Sequence, residues 1–351
     1  MSRTPRQIFT SACAQDDNLG DMVLRATNIA VLRDAGGRLH VLTAGMTDSY
    51  VAGLGLRPGD VVYGGQRSWI FALLRETGRG RSALVFAPGA QSMQRTRSNV
   101  FHALGNVLLA VALKAHRCPL VKYGRSFPTS LPGMKYAEVL LSRLCTVYSV
   151  RDARSPGVLN IRKLTVHPDI AMSRHWRTPA DTSRTVGRRK KVAVSFRMDG
   201  DVSEDELRRR VEVWQAQGLD VTLATQVRRD NRSHDELAAK LKICHLAWPD
   251  DVSHEMQLGR LLALYGQCEI VHSNRLHALI FGLRMGASPS TPDDRSDIKI
   301  RPHLAVLKIP SPIHPESIDA AYICARAEAD LTEFHTRVVD AITGAGAQVA
   351  E

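Results

Sequence analysis

The chain has 351 residues, 44% of them hydrophobic, which is enough for two ordinary domains with separate cores. Its 47 Lys and Arg outnumber 35 Asp and Glu for a formal charge of +12, so acidic partners are favoured: phosphorylated substrates, nucleic acid or an anionic lipid surface. Six dispersed cysteines without a C-x-x-C pair exclude a zinc ribbon and a dense disulfide framework, and the longest apolar run, Val107 to Leu113, is too short to span a bilayer.

From the start, Gln7 to Ala14 reads as a buried strand. Met22, Ala26, Ile29 and Leu32 then recur at helical spacing until Gly36-Gly37 stops the pattern. Short β-rich runs follow at Leu39–Ala44, Val61–Tyr63, Ala83–Ala87, Leu120–Tyr123 and Thr146–Val150, with amphipathic segments at Val100–Ala115 and Lys135–Leu144. Strands alternating with helices predict a mostly parallel sheet covered on both faces. The alternation stops in a polar stretch, Ser173–Lys190, and restarts with Val192-Ala-Val-Ser-Phe196. Ser203-Glu-Asp-Glu206 and Ser233-His-Asp-Glu236 are capping boxes expected to open helices on either side of a strand at Val221–Ala224. A helix at Gln257–Tyr265 precedes a strand ending in His272-Ser273, which runs straight into a helix carrying Arg275 and His277 in its first turn. The last segment, from Pro315, is mostly helical and is expected to pack back across the first domain.

The expected fold is α/β: two Rossmann-like doubly wound domains, residues 1–175 and 191–314, joined by a linker at 176–190 and followed by a helical segment at 315–351. The densest basic cluster, Arg184–Lys191, falls in that linker without aromatic partners, so nucleic acid is not an expected ligand. The dispersed thiols and the absence of a signal-like N-terminus predict a cytoplasmic protein, its charge compatible with peripheral contact at the inner face of a membrane.

Candidate site residues gather after strands. Uncapped N–H groups and the helix dipole meet at Arg275 and His277, a favourable place for an anion. Arg151 follows Thr146–Val150, and Arg197 follows Val192–Phe196. Asp21 sits in the turn after the first strand, behind Asn18 and Gly20, as either a plain N-cap or a carboxylate able to take a proton from a hydroxyl. Ion pairing, for Arg151 with Asp152, is the alternative for the arginines. Dinucleotide, P-loop, nucleophile-elbow and zincin signatures are missing from the sequence, and no metal or cofactor is expected.

Taken in order, Asn18-Leu-Gly-Asp21, Val150-Arg-Asp-x-x-Ser155, Pro168-Asp-Ile-Ala-Met172, Val192–Arg197 and Arg275-Leu-His-Ala-Leu-Ile280 resemble the polysaccharide pyruvyl transferase family. The resemblance implies a fold like GT-B glycosyltransferases and transfer of the pyruvyl group of phosphoenolpyruvate onto two sugar hydroxyls as a ketal. It puts Arg151, Leu276 and His277 on the phosphoenolpyruvate positions; Arg275 and Arg197, from their places after strands, are expected to bind the same donor. Asn18, Gly20, Asp21, Gly89 and Gln91 are expected on the side of the sugar acceptor, which could be lipid-linked or nucleotide-linked. Pro88-Gly89-Ala90-Gln91 holds a single glycine where a glycine-rich loop is expected. A nucleotide-sugar glycosyltransferase and a non-catalytic sugar- or polyanion-binding relative are the alternatives. In the chemistry implied, arginines clamp carboxylate and phosphate, His277 supplies a proton and Asp21 takes one from the hydroxyl.

Overall fold

The computed structural model describes residues 6–90, 97–127, 132–176, 189–197, 203–292, 300–310, 313 and 318–345. Gln91, most of the expected linker (177–188) and residues 315–317 and 346–351 of the expected C-terminal segment lie outside the described residues. The chain divides into two compact units: residues 1–16, 21–175 and 329–351 form one, and residues 17–20 and 176–328 form the other.

The first unit holds an eight-stranded, wholly parallel sheet: β1 (Gln7–Ser11), β2 (Arg38–Leu42), β3 (Val61–Tyr63), β4 (Ser82–Phe86), β5 (Gly89–Ala90), β6 (Leu120–Ser126), β7 (Val147–Val150) and β8 (Thr165–Val166). The order is β3-β2-β1-β4-β6-β7-β8, with β5 beside β6, so the winding reverses between β1 and β4. Helices α1 (Leu19–Arg33), α2 (Asp48–Ala52), α3 (Gln66–Gly78), α4 (Arg97–Ala115), α5 (Pro132–Leu144) and α6 (Ser155–Leu159) fill the crossovers. Covered on both faces, the sheet can be apolar throughout: every residue of β4 is buried. One core joins Phe9, Leu42, Trp69, Leu73, Leu84 and Leu113, and each large apolar side chain fully buried in this way contributes about 1.5–3 kcal/mol.

The second unit repeats the plan with five parallel strands: β9 (Lys191–Ser195), β10 (Asp220–Ala224), β11 (Cys244–Leu246), β12 (Cys268–Ser273) and β13 (Ser288–Ser290). Their order, β11-β10-β9-β12-β13, reverses between β9 and β12. Helices here are α7 (Glu204–Ala216), α8 (Asn231–Leu241), α9 (His254–Gly266), α10 (Leu276–Arg284) and α11 (Arg301–Val306). The last helix, α12 (Ala320–Thr343), carries Phe334, which stacks on His167 in the first unit. In α7, Ser203 caps the Glu206 N–H at 3.2 Å, and Leu207, Val211 and Trp214, one helical face, bury against β9 and β10. A charged residue at Val211 would leave an unpaired charge in that core.

The second expected capping box does not open a helix. Helix α8 begins at Asn231, so Ser233 lies inside its first turn. A 3-10 turn at Arg228–Asp230 leads in, Asn231 Oδ1 accepts from the Trp248 N–H at 2.7 Å, and His234 bonds Phe196 O and Thr225 Oγ1, so tertiary anchors set the start. Among the described residues no helix is long and apolar enough to cross a membrane.

Candidate functional site

In open α/β sheets, ligands bind beyond the carboxyl ends of the strands where the winding reverses. In the second unit those ends are β9, leading to Arg197, and β12, leading to Asn274 and Arg275. Asn274 ties them together: its Oδ1 accepts from the Arg197 N–H at 2.6 Å and its Nδ2 donates to Arg197 O at 3.2 Å. Ser273 adds a second tie, donating to Ser195 O and accepting from the Arg275 N–H at 2.8 Å. Arg275 was expected inside the first helical turn but is the N-cap of α10, with extended backbone and no side-chain cap bond. A first turn without a side-chain cap is a favourable place for an anion. The helix is held rigidly behind that turn, since Gly282 lies so close to Val271 that an added Cβ would stand 2.7 Å from Cγ2.

The Arg275 guanidinium pairs with Asp230 just ahead of α8, and both side chains are largely buried. That pair fixes the corner between β12 and α10 and occupies part of a group expected to clamp phosphate. Leu276 and His277 are half-buried, and His277 stacks on Phe281 one turn along, with centroids 6.2 Å apart. Gly20 presses on the imidazole: a Cβ there would lie 2.6 Å from Cγ and 2.8 Å from Cβ of His277.

Asn18 and Gly20, expected on the acceptor side with Asp21, thus belong to the second unit beside His277. Several bonds clip this segment to the loop after β10. Leu19 N–H donates to Gln226 O at 3.3 Å and Arg228 N–H to Asp17 O at 2.9 Å. Arg229 forks onto both Asp17 oxygens at 2.6 and 2.5 Å, and Asn18 Oδ1 accepts from the Gly20 N–H at 3.0 Å. Burial alone would raise the Asp17 carboxyl, but the Arg229 fork outweighs it and holds the group below the usual range.

In the first unit, Asp21 sits in the opening turn of α1 and accepts from the Gln15 N–H at 3.4 Å. Arg151 is only 4% exposed and pairs with Asp169, not with Asp152. Asp152 instead accepts from the Arg154 and Ser155 N–H groups and the Ser155 hydroxyl, shaping the entry to α6. Asp169 also caps the Ala171 N–H at 2.9 Å, which explains the Pro168-Asp169 motif as the partner of Arg151. Gly89 has φ +125°, a conformation that favours glycine.

Two arginines of this unit were not singled out from sequence. Arg25 bonds Pro88 O and, at 3.4 Å, Cys13 O, and Arg125 leaves β6 next to Arg151. An arginine inside a helix or strand carries no local mark, although the glycine of Tyr123-Gly124-Arg125 does signal an irregular strand. Among the described residues no cluster of three or more His, Cys, Asp or Glu could hold a metal ion.

A family model described as polysaccharide pyruvyl transferase matches residues 18–288. No curated protein matches the chain. Among solved structures, a protein described as a UDP-N-acetylglucosamine 2-epimerase from Listeria monocytogenes has a TM-score of 0.50 at 9% identity, covering 96% of this chain and 91% of that one. UGT2 of Phytolacca americana, solved with UDP-2fluoro-glucose and pterostilbene, has a TM-score of 0.50 at 10% identity, covering 96% and 94%. At such identities the likeness concerns the fold alone, and that fold is the two-domain, Rossmann-like GT-B type.

Proposed function

The chain belongs to the polysaccharide pyruvyl transferase family, and on that premise we propose that it transfers the pyruvyl group of phosphoenolpyruvate to two hydroxyls of a sugar, forming a ketal and releasing phosphate. The observation that carries this reading is His277 on the uncapped first turn of α10, wedged between Gly20 and Phe281 within the matched residues. An imidazole there can hand a proton to the methylene carbon of phosphoenolpyruvate while the N–H groups of the turn draw the anion in. Protonation leaves C2 electrophilic. One sugar hydroxyl adds to it, the C2–O bond to phosphate breaks, and the second hydroxyl closes the ketal. Of the two hydroxyl protons, one replaces the proton His277 gave up and the other leaves on the phosphate.

In this scheme His277 is the acid and Asp21 the base for the attacking hydroxyl. Arg151, Arg197, Arg275 and Leu276 hold the donor, and Asn18, Gly20, Gly89 and Gln91 serve the acceptor side. Arg151 and Arg275, already paired with Asp169 and Asp230, bind the donor through what remains of their forks. The acceptor belongs to cell-surface polysaccharide or glycan synthesis. The charge of +12 supports contact with an anionic membrane face. The test is phosphate release from phosphoenolpyruvate across a panel of sugar acceptors, beside nucleotide release from nucleotide sugars. Acceptor-dependent phosphate release supports the proposal. Nucleotide release without phosphoenolpyruvate identifies a glycosyltransferase, and binding without turnover a sugar-binding relative.

A further inference from the structure

The helices on one face of the first sheet are apolar on both their sides. Strands β3, β2, β1, β4, β6 and β7 stand in that order, so the crossovers α3, α4 and α5 all run the same way along the sheet and cover the same face. Inward, Leu73 of α3, Leu113 of α4 and Leu141 of α5 pack in one core with Phe9, Leu84 and Leu120. Outward, α4 presents Phe101, Leu104, Leu108 and Val111 at helical spacing, and they are 74%, 54%, 70% and 48% exposed. On the helices to either side, Phe71 and Leu74 of α3 and Tyr136 and Leu140 of α5 are exposed as well. A surface helix turns its polar side to water, so large apolar side chains on the outer side of three neighbouring helices call for a partner.

Charge on this face has one sign. No Asp or Glu occurs between Thr77 and Ala137. Helix α4 has no acid, and the single acids of α3 and α5, Glu76 and Glu138, are buried. Glu76 accepts from Arg79 at 2.7 Å and from Arg75 at 3.2 Å, and Glu138 accepts from Lys122 at 2.8 and 2.7 Å. The three helices run antiparallel to the strands, so their last turns come together at the amino edge of the sheet, where Arg79, Lys114, Arg117 and Arg143 are exposed. Helix α7 of the second unit shows the contrast: its exposed Val213 stands on a helix that also exposes Glu204, Asp205 and Glu212.

We propose that the outer face of α3, α4 and α5 is a membrane-docking surface that lies on a bilayer rich in anionic lipid. The apolar stripe of α4 enters the headgroup boundary while the cations at the amino edge meet the lipid phosphates. Interfacial binding of this kind combines buried apolar area with the attraction of Lys and Arg to anionic headgroups. A second copy fits worse, because an isologous pair would gather the cations of both copies around one apolar interface with no exposed carboxylate to answer them. Nucleic acid fits worse too, because Leu104 and Leu108 at the centre offer nothing to a phosphate or a base. The surface gives the membrane contact favoured by the net charge a definite place, and it is independent of the chemistry assigned to His277.

The test is co-sedimentation of the full chain, without phosphoenolpyruvate or sugar, with vesicles of phosphatidylcholine alone or of equal phosphatidylcholine and phosphatidylglycerol, at low and high salt, beside its mass in solution. Wild type should bind the mixed vesicles, lose affinity as salt rises, and bind phosphatidylcholine weakly. Phe101→Ser combined with Leu108→Ser should weaken binding to the mixed vesicles roughly 10- to 100-fold. Lys114→Gln combined with Arg143→Gln should weaken it roughly 25-fold, about fivefold per cation, and serves as the variant if the serine pair fails to fold. Val213→Ser is the control and should bind as wild type does. Wild type that ignores the mixed vesicles, or either double variant that binds them as wild type does, would overturn the proposal. So would a wild-type dimer that the serine pair turns into a monomer, since the face would then belong to a second copy.

Discussion

Gly20→Ala is a single-methyl perturbation aimed at His277. The new Cβ would stand 2.6 Å from the imidazole Cγ, about 0.8 Å inside the 3.4 Å at which ordinary contact begins, and closer still to Nδ1. The ring cannot slide freely, because Phe281 flanks it and its helix is locked on Val271 through Gly282. The segment carrying Gly20 is equally pinned by the Arg229 fork on Asp17 and the backbone bond from Leu19 to Gln226. The strain therefore divides between a stability cost of roughly 1–3 kcal/mol and a displacement of the imidazole by roughly 1 Å. A misplacement of that size at a reacting group costs about 10²-fold in rate. The assay is steady-state phosphate release from phosphoenolpyruvate with a working acceptor, beside thermal melts. Gly105→Ala, in the exposed interior of α4 with nothing within 4 Å of its added Cβ, is the control and should gain about 0.5–1 kcal/mol with unchanged turnover. A folded Gly20→Ala enzyme with wild-type turnover would refute the reasoning, since the imidazole could not then need its present position.

Arg151→Ala should destabilise the chain by roughly 3–5 kcal/mol, because it strands the Asp169 carboxylate in a buried site; adding Asp169→Ala should recover much of this, as chemical denaturation of both variants would show. Arg151→Lys should raise the Michaelis constant for phosphoenolpyruvate more than it lowers turnover, if the arginine mainly holds the ground-state anion. Burial pushes His40, His167 and His234 down to about 4, and His272 and His335 down to about 3. Between these values and the ordinary 6.5 the unfolded chain binds protons that the folded chain refuses. Stability is therefore full above about pH 6.5 and falls on acidification towards pH 4, each histidine contributing up to about 1.4 kcal/mol per pH unit. Melting temperatures recorded down this range should decline, and His272→Asn should make the decline shallower.

Much of the fold was readable because strand and helix periods alternate cleanly, and because the strands, buried on both faces, are continuous apolar runs such as Val192–Phe196. Strands β11 and β13, Cys-His-Leu and Ser-Pro-Ser, were not recognised, being three residues long with mixed polarity. At the site, sequence could rank Arg275 and His277 because both directly follow a strand. It could not see that Asp230, 45 positions earlier, takes the Arg275 fork, or that Asp169 takes Arg151, since long-range pairing leaves no local signal. Arg25 escaped notice for the same reason: what distinguishes it is two carbonyls from separate strand ends converging on one guanidinium.

The central claim, pyruvyl transfer with His277 as proton donor, is tested most directly by following phosphoenolpyruvate labelled with carbon-13 at C2 in the presence of a sugar acceptor. The account predicts that the labelled carbon changes from a vinylic to a ketal signal on the sugar, in step with phosphate release. It also predicts that folded His277→Ala slows both by about 10²- to 10⁴-fold. Phosphate release without transfer of the labelled carbon, or near-native transfer by folded His277→Ala, would contradict it.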